Sequence, residues 1–141
     1  MKSVSSLPMA VWGLRIALAA AFLSAVADRF GIWGANGTHG VSWGDWSHFV
    51  AYTGKLLWFL PSALVNPAAW VATIAEAGLA IALLTGLRSR IVALASAALL
   101  ASFALTMTVA LGIKAPLDYS VFTAAAAALL LAAISPGRLN Q

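Results

Sequence analysis

Glu76 stands inside the run 71–84, VATIAEAGLAIALL, where every other residue suits a lipid interior. An ionisable side chain at such a depth is costly and normally faces a bundle interior with a partner. Arg15 is the candidate partner. At 1.5 Å per residue, Glu76 lies about 15 Å from Gly86 and Arg15 about 10 Å beyond Pro8, both measured from the same membrane edge. A fork-shaped Arg15–Glu76 pair between antiparallel helices is therefore predicted. Such a pair suits either a clasp that locks helix register or a site that handles protons or anchors a ligand.

Arg29 follows Arg15 by fourteen residues, nearly four turns, so both fall on one helix face with Ala19, Phe22 and Val26 between them. This predicts Arg29 at the outer mouth of a bundle, snorkelling to water or paired with Asp118. His48 is placed to hydrogen-bond a ligand or a headgroup at the membrane surface. Arg29, His48, Tyr52, Asp118 and Trp46 make up the candidate ligand site. His39, His48 and Asp45 match no metal-site spacing, and no metal is expected.

These residues need a membrane scaffold to position them. The 141-residue chain is 62% hydrophobic and 9% charged, with mean hydropathy +0.95. A soluble domain carries about 25% charged residues, so a single integral membrane domain over 1–141 is expected. The net charge of +4 comes from few groups and forms no basic patch, which argues against a nucleic-acid partner. The absence of cysteine excludes disulfides, thiolate metal sites and thiol-relay chemistry of the chain's own. Ala25–Ala27 resemble a signal-cleavage site, but Arg15 interrupts the apolar stretch before them, so a retained span is expected.

Four apolar segments, 9–30, 67–87, 91–111 and 119–134, approach the roughly 20 helical residues that cross a hydrocarbon core. The fold class predicted is all-α: a bundle of four transmembrane helices with an interfacial helix in its first, outer connection. Pro67 suits the first turn of the second span, Asp118 the N-cap of the fourth, and Pro136-Gly137 its end. Gly13, Ala17, Ala21 and Ala25 recur every fourth position, which permits close helix approach. Lys2, Arg88, Arg90 and Arg138 on one side outnumber Arg29, Lys55 and Lys114 on the other, which predicts cytoplasmic termini.

The connection 32–66 holds Trp33, Trp43, Trp46 and Trp58. Ser42 and Asp45 have capping-box spacing. From them a helix over about 45–60 is expected, too short to span, with Asp45, His48, Tyr52 and Lys55 on one stripe.

The segments LRIALAAAFLSAVADRFG and IAEAGLAIALLTGLRSRIVALASA, with the terminal SPGRLNQ, resemble the DoxX family of small four-helix membrane proteins. Arg15, Arg29, Glu76, Gly86 and Arg90 match that pattern, with Arg29 where lysine is commoner and a longer Trp-rich connection. The resemblance implies a multi-pass protein of the bacterial cytoplasmic (inner) membrane near the quinone pool. Its named relative is the membrane subunit of a thiosulfate:quinone oxidoreductase. Without cysteine, this chain offers no thiol for sulfur transfer.

Three functions are open: an anchor or accessory subunit of a membrane redox complex; a quinone-binding subunit of a quinone-linked oxidoreductase; and a small-molecule transporter or membrane assembly factor. Catalysis is expected only as a subunit of a quinone-dependent oxidoreductase. No intrinsic cofactor is expected, and quinone is the one the resemblance implies. The expected partners are the bilayer and other membrane or periplasmic subunits or further copies of the chain.

Overall fold

The computed structural model describes residues 6–135; Lys2, Arg138 and the Pro136-Gly137 stop fall outside the described residues. These form six helices and no strand: α1 (Ser6–Arg29), α2 (Trp46–Leu56), α3 (Ser62–Thr85), α4 (Ser89–Leu111), α5 (Lys114–Asp118) and α6 (Val121–Ile134). Helices α1, α3 and α4 are long and apolar enough to cross a membrane. At 23 or 24 residues each they reach about 35 Å. Helix α6 is apolar but has 14 residues, or about 21 Å.

Two antiparallel pairs, α1–α3 and α4–α6, join through α3–α4 and α1–α6 into a closed ring of four. Its core takes Leu18, Ala19 and Phe22 from α1, Ala80 and Leu83 from α3, Val92, Ala93 and Leu100 from α4, and Ala128, Leu131 and Ala132 from α6. Fully buried alanines (Ala19, Ala80, Ala93, Ala128) let the backbones approach. The stripe expected to do this does not. Gly13, Ala17 and Ala21 are exposed, because two residues, about 200° of helix, separate Gly13 from the inward-facing Arg15.

Several boundaries differ from expectation. Helix α3 starts at Ser62, so Pro67 lies inside it rather than in its first turn. Ser120, not Asp118, precedes α6; it is left-handed (φ +56°) and makes no side-chain cap bond. Asp118 closes the short α5 and accepts from Lys114 instead. Asp45 caps α2 by itself, through the His48 N–H at 2.9 Å, while the Ser42 N–H turns to Asp28. Helix α2 ends at Leu56, and residues 57–59 form turns.

The segment between α1 and α2 folds on Asp28. Its carboxylate accepts the backbone N–H groups of Ser42, Trp43 and Gly44 at 2.8–2.9 Å. Gly44 has φ +76°, and a Cβ there would lie 2.2 Å from the Asn36 nitrogen, so no other residue fits this turn. Held in this way, α2 rests mainly on α3 and also touches α1 and α4.

Candidate functional site

The inward face of α1 carries Arg15 and Arg29, both buried. In an α-helix, side chains lean toward the helix N-terminus. Arg29 therefore reaches back from the end of α1 into the bundle, and Arg15 reaches away from the bundle middle toward the α3–α4 turn. That lean overturns the predicted Arg15–Glu76 pair, which allowed for side-chain length but not direction.

Glu76 pairs with Arg29. The Arg29 Nη2 meets Glu76 Oε2 directly, with both side chains buried, and its Nη1 donates to Thr73 Oγ1 at 2.7 Å. Thr73 lies one turn before Glu76, and its hydroxyl donates to the Ala69 carbonyl. Above the pair, the Arg29 guanidinium lies 3.9 Å from the Phe49 ring centre and 5.4 Å from that of Trp43. The partner expected for Arg29, Asp118, is exposed and bonded to Lys114.

Asp28, Arg29, Thr73 and Glu76 thus bind four things together: the end of α1, the middle of α3, the 42–44 turn and α2. Sequence reasoning missed Asp28. The available signal was a carboxylate in the last turn of a helix, where the dipole disfavours it, ahead of a glycine-rich segment able to present free N–H groups.

Arg15 makes a second clasp. Its Nε donates to the Leu83 carbonyl at 2.8 Å, and its Nη1 to Ser89 Oγ at 2.8 Å. Leu83 O is one of the last four carbonyls of α3, which lack helical partners and carry the negative dipole end. The Trp12 ring lies 5.4 Å from this guanidinium. Nη2 of Arg15 and Nε of Arg29 are buried without a hydrogen-bond partner among the described residues.

Of the five candidate ligand residues, Arg29 and Tyr52 both meet the Trp43 ring and Arg29 and Trp46 both meet Phe49, while His48 and Asp118 take other partners. His48 Nδ1 faces Asp45 Oδ2 at 2.8 Å, and both side chains are about half exposed. The backbone N–H of His48, then the Ser47 hydroxyl and the His48 ring, lower the Asp45 carboxyl to about 2. Tyr52 leans on Trp43, 5.6 Å between ring centres, and burial followed by nearby Tyr119 raises its phenol. Trp46 stacks on Phe30, lies tilted against Trp70 and donates to Asn66 Oδ1. Arg29 is covered by α2.

Cavities among the described residues lie elsewhere on the bundle. An apolar groove of about 680 Å³ runs between α3 and α4 along Ala75, Gly78, Ala95 and Ala98. A polar one of about 260 Å³, lined by Asp28, Trp33 and His39, lies beside the 39–42 segment. Neither is lined by Arg29 or Glu76. Comparison with protein-family models, with curated proteins and with solved structures returns no match.

Proposed function

We propose that the chain is a DoxX-like integral membrane subunit, an anchor or accessory component of a membrane redox complex near the quinone pool. In this reading it crosses the bilayer four times, with termini and the α3–α4 turn in the cytoplasm and α2 in the outer interface. Supporting α6 as a fourth, short span is its apolar sequence over 14 residues. Leu131 and Ala132, near the end of α6, also share the core with Val92 and Ala93 at the start of α4, which is consistent with α6 packing antiparallel to α4 along its length.

The observation that carries a non-catalytic role is the engagement of the buried charges. Glu76 is taken up by Arg29, and Asp28 by three backbone N–H groups. Both tie structural elements to one another, the behaviour of a clasp rather than of a proton relay.

The test is purification of the full chain from native membranes in mild detergent, followed by identification of bound polypeptides and extractable quinone. Other polypeptides in stoichiometric amounts, with no quinone on the separated chain, are expected. Stoichiometric quinone on the separated chain would overturn the anchor reading in favour of a quinone-binding subunit.

A further inference from the structure

The α3–α4 turn concentrates positive charge that no acidic side chain of the protein answers. Arg15 is 3% exposed, and its Nη2 has no hydrogen-bond partner among the described residues. That nitrogen points into the turn, where a Cβ on Gly86 would lie 3.7 Å away. Arg88 and Arg90 stand exposed on the same turn, and neither forms an ion pair among the described residues.

The start of α4 adds to this charge. Its N-cap is Arg88, in the left-handed region at φ +43°, with no side-chain cap. Ser89, of the type that usually caps, instead accepts from Arg15 and donates to the Gly86 carbonyl at 3.1 Å. The positive dipole end of α4 thus lies beside a buried guanidinium.

No carboxylate side chain of the protein is available as a counter-ion there. The chain has four acidic residues. Asp28 holds the 42–44 turn, Asp45 holds His48, Glu76 holds Arg29 and Asp118 holds Lys114.

We propose that the α3–α4 turn is a binding site for a phosphate-bearing anion, and that its occupant is the headgroup of an anionic phospholipid. The α4 N–H groups, Arg88 and Arg90 would hold the phosphate, with Arg15 behind them. Exposed Trp12, Leu84, Leu87 and Ile91 flank the turn and offer apolar surface to the acyl chains. This inference rests on the membrane reading above but not on the anchor role.

The experiment uses the full chain in neutral detergent, with native mass spectrometry and thermal unfolding as readouts. The probes are phosphatidylglycerol, phosphatidylcholine and inorganic phosphate. Two variants each remove two exposed cations: R88Q/R90Q at this turn, and K55Q/K114Q elsewhere. Phosphatidylglycerol should bind the wild type roughly tenfold or more tighter than phosphatidylcholine, as two arginine contacts imply. K55Q/K114Q should keep that preference and R88Q/R90Q should lose it. Stabilisation by inorganic phosphate without lipid preference, lost in R88Q/R90Q alone, would keep the anion site and overturn its assignment to lipid. No preference and no phosphate effect, or equal losses in both variants, would overturn the site itself. None of these results depends on a partner subunit, so failure here is distinct from failure of the anchor reading.

Discussion

Arg15 and Arg29 show how one helix can carry two cations with separate duties. Arg29 compensates a buried carboxylate, and Arg15 caps the end of the neighbouring helix. Breaking a buried pair by removing one partner costs about 3–5 kcal/mol, because the other charge is stranded. Glu76→Gln should therefore destabilise the protein by about that amount, and Arg29→Met/Glu76→Leu should recover much of the loss. A double-mutant cycle in thermal unfolding should show strong coupling between positions 29 and 76 and near-additivity between 15 and 76. Coupling of 15 with 76 that matched the 29–76 value would refute the two-clasp arrangement. Asp45 adds a pH dependence at the surface. Its carboxyl is held at about 2, below the ordinary 3.8, so the folded-state value is the lower one. Ionised Asp45 thus supports α2 fully above the ordinary value, and this support fades as pH falls from 3.8 to about 2. Tryptophan fluorescence from the α2 region should report a transition in that window, and Asp45→Ala should abolish it.

The elements depend on these contacts unequally. Helices α1, α3 and α4 bury alanine and leucine faces against one another and would keep their helicity without either clasp. Helix α2, with 11 residues, is too short to be stable alone and is held by Asp28, Arg29 and the aromatic contacts of Trp43, Trp46 and Phe49. Asp28→Ala leaves three N–H groups without their acceptor, at about 1–3 kcal/mol for a buried unsatisfied group. Gly44→Ala meets backbone at 2.2 Å. Both should release α2 while sparing the bundle. Hydrogen exchange should rise over 42–56 and stay low over the core of α3 and α4. Uniform loss of protection through α3 would show instead that α2 and the bundle fold as one unit.

For the molecule as a whole, the ring order α1–α3–α4–α6 puts the α3–α4 turn at the opposite end from the 31–45 segment and α5. A chain without cysteine suits single-cysteine labelling. His39→Cys and Lys114→Cys should react with an impermeant maleimide from the outside of intact cells. Leu87→Cys should react only after the membrane is opened. A tag appended after residue 141 should behave like position 87 if α6 completes a fourth crossing. A tag exposed on the same side as position 114 would leave three crossings.

Much of this was readable from residue types alone, because hydropathy acts on windows of twenty residues and averages over local error. The all-helical character, three of the four expected spans as long apolar helices, a short helix capped by Asp45 and a shared face of α1 for Arg15, Ala19, Phe22 and Arg29 all follow from composition and the 3.6-residue period. The partner of Glu76 did not follow, since depth counts place Cα atoms and leave undecided which way an arginine runs. The start of α3 was also hidden: Pro67 looks like a first-turn residue, yet α3 tolerates it one turn further in. Gly13, Ala17, Ala21 and Ala25 formed a convincing stripe, but which face of α1 turned inward depended on where Arg15 found its acceptors, 68 and 74 residues away. Asp28 was opaque for the same reason, since its partners are backbone groups in a turn whose shape no side-chain pattern records. Such contacts between distant segments exist only once the chain is folded, and they decide which charges meet.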